Sequence, residues 1–350
     1  MDEIITYSAN TNTNELVPTT PKELGQAANQ IAEQTVFQDY QSRKSKNTLK
    51  HQQLDLLCFE EYLASINPST RVTDTMNNPK AWHGITWGIV DGFVKWLLMQ
   101  GYSLATINQR LTWVRLYASM ANKAGYVSSE ELLRIKSVKG YSAKEGRKLD
   151  SKRQERSIPT RVGYKKHDAT PITKQQLESI LASLPNSPQG KRDRLMLLLF
   201  TELGLRVGEL HSLECANFNL EAGTITFYRE KVGIEQTHKL TSRLLEAAKD
   251  YITNYANGLL WRGSIQGHGL TNQKLSIRAI NKRIRLLGSK VGIATLSPHD
   301  LRHYWATQAT RSGVAIDRLM QAGGWASYAM PLRYVQAEAI ANVGVVEKLE

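Results

Sequence analysis

Between residues 139 and 170 the apolar residues lose all periodicity, and Gly140, Gly146, Pro159 and Gly163 punctuate the stretch. A segment without a repeating apolar stripe cannot seat itself in a core. It therefore splits the chain into two regions that must each bury their own, and it reads as an extended interdomain linker. Length agrees, because 350 residues exceed what one ordinary core serves. Charge is concentrated in the same place. Between Arg134 and His167 stand twelve Lys and Arg against three acidic residues, a large part of the formal net charge of +13. Such a concentration is the footprint of a polyanionic partner, most often nucleic acid; the plain alternative is a solvated charged linker.

The region before this segment is helical in pattern. Residues 1–33 are polar, rich in Thr, Asn and Gln, and read as a flexible N-terminal arm. Over 34–138, "KNTLKHQQLDLLCFEEYLASI" places Leu49, Leu54, Leu57, Cys58 and Tyr62 near helical spacing. "TWGIVDGFVKWLLMQGYS" follows, with Thr86 as N-cap and Gly101 as stop. In "SLATINQRLTWVRLYASMANKAG" Ser103 caps, Leu104, Ile107, Leu111, Val114 and Tyr117 make the stripe, and Gly125 ends the helix. After the basic segment a second domain spans 171–334. It opens with the capping box of Thr173 and Gln176. A strongly apolar helix, "KRDRLMLLLFTELG", comes next, and then "GTITFYREKVGIEQTHKLT" alternates Ile225 and Phe227 as a short sheet would. The fold class expected is mainly α with a small β-sheet. In the tail, 335–350, Ala339, Ile340, Val343 and Val346 share a face suited to a neighbouring protomer or to the domain itself.

Several function classes are disfavoured. No apolar run nears the roughly 20 residues that span a bilayer, so no membrane partner is expected. The opening "MDEIITYSANTNTNELVPTT" lacks the basic start and apolar centre of a secretory signal, and the expected location is cytoplasmic, on the nucleoid in a bacterium. Cys58 and Cys215 form no metal-ligand pattern and suit a reducing compartment.

Three stretches carry chemistry. In "GLRVGEL", Arg206 and Glu209 stand three apart on one helix face. In "LSPHDLRHYWATQATRSG", Ser297 and Pro298 start a helix whose first turn holds His299 and Arg302. Free backbone N–H groups and a planar guanidinium fork there suit a phosphate. In "LMQAGGWASYAMPLRY", Gly323–Gly324 release Trp325, and Tyr328 and Tyr334 follow three and nine residues later. A tyrosine with pKa near 10 becomes a useful nucleophile where fixed cations stabilise phosphate charge.

These motifs, in this order and spacing, resemble the tyrosine recombinase (phage integrase) family, over most of residues 173–340. The resemblance implies a two-domain DNA clamp, a helical core-binding domain joined to a mixed α/β catalytic domain. It also implies roles. Arg206 and Arg302 would grip the scissile phosphate and His299 would donate to it. Trp325 would fill a position held by His in many members, and Glu209 would support the site. Tyr334, rather than Tyr328, would attack, leaving a 3′-phosphotyrosyl link and a free 5′-hydroxyl. The family's general-acid lysine sits on a β-hairpin. Here Lys231 and Lys239 are the candidates, with Lys231 at the turn preferred, although the commoner Gly-Lys-Gly form is lacking. The expected function is site-specific recombination of double-stranded DNA at a core site, through a Holliday junction, without ATP, metal or other cofactor. A homotetramer on two sites and a monomer or weak dimer off DNA would follow. A type IB topoisomerase-like enzyme and a non-catalytic DNA-binding protein of this fold are the alternatives. Candidate DNA contacts are Arg43, Lys44 and Lys46, then Gln109, Arg110 and Arg115, and in the basic segment Arg147, Lys148, Lys152 and Arg153.

Overall fold

The computed structural model describes residues 20–67, 72–158, 169–253, 258–265 and 269–332. Two compact units divide the chain, Met1–Lys165 and Lys166–Glu350. Tyr334 and the tail 335–350 lie outside the described residues.

In the first unit, helix α1 (Pro21–Ser42) starts from Thr20, whose hydroxyl accepts the Glu23 N–H while the Glu23 carboxylate accepts the Thr20 N–H. The arm expected over 1–33 is thus helical from Pro21, with residues 1–19 outside the described residues. Its capping box was there to read. The absence of an apolar stripe hid it, since Phe37 is the buried residue of α1. Helices α2 (Lys46–Ile66), α3 (Trp87–Met99), α4 (Leu104–Lys123) and α5 (Ser129–Ser137) close around Phe59, Trp82, Phe93 and Tyr117. The stripe of α4 buries Ile107, Leu111, Val114 and Tyr117 as expected. Helix α2 turns differently: Leu54 and Leu57 are exposed, and Gln52, Leu56, Cys58, Phe59, Tyr62 and Leu63 face inward. A polar residue disguised that face. Gln52 is fully buried because its amide donates to Tyr40 Oη at 2.7 Å and accepts from Tyr117 Oη at 3.0 Å.

The basic segment requires a correction. Residues Ala143–Glu155 form helix α6, led by Ser142, whose N–H donates to the Glu145 carboxylate at 2.7 Å. Upstream, Asn108 clamps Tyr141, accepting its N–H at 2.9 Å and donating to its carbonyl at 2.7 Å. Arg153 is buried and donates to the carbonyls of Leu98, in the last turn of α3, and of Tyr102 just beyond it. A guanidinium satisfying carbonyls at a helix C-terminus docks α6 in place of an apolar stripe, so no periodicity marked it. The stretch to residue 158 therefore belongs to the first unit.

In the second unit, α7 (Lys174–Ala182) begins at the Thr173–Gln176 capping box. Helix α8 (Pro188–Glu202) is buried on all sides from Leu195 to Phe200 and packs against two later helices. After α9 (Val207–Ser212), an antiparallel sheet joins β1 (Phe218–Asn219), β2 (Thr224–Arg229) and β3 (Ile234–Lys239) in that order. Helix α10 (Ser242–Ile252) covers α8. A second hairpin, β4 (Arg262–Ile265) with β5 (Gly269–Lys274), was not anticipated, because its polar strands lack apolar alternation. Then come α11 (Ile277–Ser289), α12 (Pro298–Arg311) and α13 (Ile316–Gly323). Among the described residues no helix is long and apolar enough to cross a membrane.

Candidate active site

Helix α8 stops at Gly204, held at φ +60° with the Trp305 ring so close that a Cβ would meet it at 2.1 Å. The stop delivers Arg206 to the N-cap of α9. Glu209 accepts the Arg206 N–H at 2.8 Å and pairs with its guanidinium at 2.7 Å. Glu209 also pairs with Arg229 at 2.8 Å. Burial pushes the Glu209 carboxyl up. The Arg229 charge and the bonds from Arg206 outweigh that and hold it below the usual carboxylate range.

Arg229 escaped the sequence reading, although the strand period carried the signal. Ile225, Phe227 and Arg229 alternate onto the buried face of β2, and Arg229 is 0% exposed. Its guanidinium lies 4.8 Å from the Phe227 ring centre and donates to Gln236 Oε1 at 2.6 Å.

The C-terminus of α13 gathers these side chains. Gly324 takes the left-handed conformation (φ +59°), the Trp325 N–H returns to the Met320 carbonyl, and the last carbonyls of the helix are left pointing outward. Gln236 Nε2 donates to Gln321 O at 3.1 Å and Arg229 to Ala322 O at 2.6 Å. Arg302 donates to Gly323 O at 2.6 Å and Arg206 to Gly324 O at 2.8 Å. Three guanidinium groups thus sit at the negative end of one helix. Arg302 also donates to Gly204 O and lies 4.6 Å from the Trp325 ring centre.

Helix α12 starts at Ser297 and Pro298 as expected. Its own Asp300 closes a capping box with Ser297 and also accepts the Thr170 N–H at 2.8 Å. The first-turn donor expected to meet a phosphate is therefore partly spent locally, and the anion-attracting charge comes from side chains. His299 Nε2 lies 3.0 Å from His303 Nε2. Desolvation, then the charges of Arg302 and Lys231, hold His299 below its ordinary value against the pull of Asp300, which favours the neutral ring. His303, half-buried beside it, is pushed down to about 4 and is neutral at pH 7. Of two neutral imidazoles in contact, one gives the N–H and the other the lone pair, so His303 orients the ring of His299.

These residues border one cleft of about 460 Å³, lined by Arg206, Lys231, His299, Arg302 and Trp325, with Asn281 and Met330 among the rest. Its lining carries three cations and, among the described residues, no carboxylate. Lys231 occupies the β2–β3 turn. Lys239 lies at the far end of the hairpin, opposite Thr224, in a separate groove with Arg318. Tyr328 is exposed at the start of the helical turn 329–332, outside the cleft lining. Tyr334 falls two residues past the described chain.

The expected DNA contacts divide. Arg43, Lys44, Lys46, Gln109, Lys148 and Lys152 are exposed. Arg43 pairs with Asp39, and Lys44 lies 5.0 Å from the Tyr40 ring centre. Arg110 and Arg153 are engaged inside the unit and are corrected as surface contacts: Arg110 pairs with Asp55 at 3.0 Å, donates to Cys58 Sγ and stacks on Tyr102. Arg115 is half-buried, its Nε lacking a hydrogen-bond partner among the described residues. The side chain of Arg147 lies outside the described residues.

Comparison with known proteins agrees with this arrangement. Residues 171–339 match the phage integrase family. "Tyrosine recombinase XerA" of Pyrococcus furiosus is 26% identical over 264 residues, covering 73% of this chain and 87% of that protein. "Tyrosine recombinase XerC" of Actinobacillus succinogenes is 25% identical over 271 residues, covering 75% and 81%. Among solved structures, the Tn1549 transposon integrase in complex with transposon right end DNA shares the fold, with TM-score 0.58 at 14% identity over 90% of this chain and 98% of that one. A lambda integrase dimer bound to a core site gives 0.54 at 15% identity, over 85% and 92%.

Proposed function

We propose that the chain is a site-specific DNA recombinase that cuts and rejoins strands through a 3′-phosphotyrosyl intermediate. The observation that carries this reading is the cleft of Arg206, Lys231, His299, Arg302 and Trp325, backed by one buried carboxylate. Such a lining wants an anion. Two planar forks suit the non-bridging oxygens of one phosphate, and neutral His299 can add an N–H to them. As charge builds on phosphorus, donors already fixed by Glu209 and the α13 carbonyls need little reorganisation.

In this reading Tyr334 Oη attacks phosphorus as its phenolic proton leaves to solvent, the P–O5′ bond breaks, and the Lys231 ammonium gives a proton to the departing 5′-oxygen. The phosphotyrosine keeps the energy of the phosphodiester, so a 5′-hydroxyl from a second duplex restores a bond without ATP. Two protomers on each of two core sites, exchanging strands through a Holliday junction, complete the reaction. The exposed Lys46, Lys148 and Lys152 supply sequence-independent phosphate contacts. The relatives named as tyrosine recombinases support strand exchange over simple relaxation of supercoils.

The test uses purified protein and the DNA flanking its gene, quenched in detergent. A covalent protein–DNA adduct is expected from the wild type and from Tyr328→Phe, and none from Tyr334→Phe. An adduct that survives Tyr334→Phe but not Tyr328→Phe overturns the assignment.

A further inference from the structure

We propose that Arg229 is a positioning residue for protonation of the leaving 5′-oxygen, holding the hairpin that carries Lys231 against the C-terminus of α13. This rests on the reading of Lys231 as general acid. The hairpin turn itself is exposed, and Lys231 sits on a long flexible stem. Something must fix the base of that turn, and Arg229 is two residues away, fully buried.

Its bonds run to β3, to Glu209 and to the end of α13. The guanidinium ties β2 to β3 through Gln236, reaches Glu209 behind Arg206, and donates to Ala322 O and, at 3.4 Å, to Gly323 O. The Gly323 carbonyl is the one that Arg302 also holds. Backbone closes the same turn, since the N–H groups of Val232 and Gly233 donate to Arg229 O. The Lys231 turn is therefore registered against both phosphate-gripping arginines through one side chain. Gly324 marks how close the packing is, because a Cβ there would lie 2.5 Å from Arg229 Cδ. A residue whose only task was to neutralise Glu209 would not need bonds to Gln236 and Ala322 as well.

A role in leaving-group protonation has a chemical signature. In a substrate with sulfur in place of the bridging O5′, the P–S5′ bond breaks to release a thiolate, with a pKa near that of cysteine, which departs without a proton. Arg229→Met and Arg229→Lys would be compared with wild type and Lys231→Ala. The readouts are the melting temperature, non-covalent DNA binding, and the rate of adduct formation on ordinary and 5′-thio substrates. For Arg229→Met the expected result is a loss of about 10²-fold or more on the ordinary phosphodiester, recovered largely on the 5′-thio substrate as for Lys231→Ala, with Arg229→Lys intermediate. Equal losses on both substrates, or a loss that follows the fall in melting temperature, overturn the proposal. No adduct from wild type on either substrate would instead strike the recombinase reading itself.

Discussion

Two buried clusters in the second unit have the same core, one carboxylate between two arginines. At Asp193, Arg192 pairs at 2.9 Å and Arg283 at 2.5 Å, and Arg192 spends its remaining reach on the Arg262 carbonyl. At Glu209, Arg206 pairs at 2.7 Å and Arg229 at 2.8 Å. The first cluster staples α8 to α11 and to the start of β4. The second has further cations around it: Arg302 on the same helix end, and Lys231 across the cleft. A buried ion triad is thus weak grounds for a site. Unbalanced positive charge facing a cleft is better grounds, because it needs an anion that the protein does not supply.

Removing each carboxylate should separate the two clusters. Glu209→Ala and Asp193→Ala each strand buried guanidinium groups and should each destabilise the fold by about 3–5 kcal/mol. Their activities should part. Measured at a temperature where both are folded, adduct formation per folded molecule should fall by about 10²-fold with Glu209→Ala, through misplacement of Arg206, and stay near wild type with Asp193→Ala. Equal activities would put the two clusters on the same footing.

A smaller effect separates two left-handed glycines. At Gly292 (φ +79°) a Cβ has nothing within 4 Å, so Gly292→Ala should cost about 1–2 kcal/mol from backbone strain alone and leave cleavage unchanged. Gly324→Ala carries the same strain and also drives a methyl into Arg229, so it should lower the melting temperature further and slow adduct formation.

Local signals made much of this site legible. Gly204 before Arg206, and Ser297–Pro298 before His299, are helix stops and starts written within a few residues. The family resemblance then named Arg206, Lys231, His299, Arg302 and Trp325 together, and the structure lines one cleft with them. Other parts depended on long-range partners. Arg229 went unremarked, though its place two residues after Phe227 on an alternating strand put it inside. Helix α6 docks by a guanidinium on carbonyls, and the buried face of α2 contains a glutamine, so neither shows the apolar period that sequence reading relies on.

The weakest expected effect is a pH dependence. His238, half-buried, stacked on Phe227 and beside the Arg229 charge, is pushed down to about 4, as is His303. Below about pH 6.5 the unfolded chain takes up protons at these rings that the folded chain refuses until about pH 4. Stability present above pH 6.5 should therefore be lost as pH falls through that window. His238→Gln should flatten the fall in melting temperature between pH 7.5 and 5, and an unchanged slope would deny His238 its part.

Whether this cationic cleft holds a phosphate for attack by Tyr334 is decided by mapping the covalent adduct. Protein incubated with its core DNA would be quenched and digested, and the modified peptide sequenced by mass spectrometry. A DNA 3′-phosphate on Tyr334 and a free 5′-hydroxyl on the other fragment are expected. A DNA link at any other residue, or through a 5′-phosphate, would contradict it.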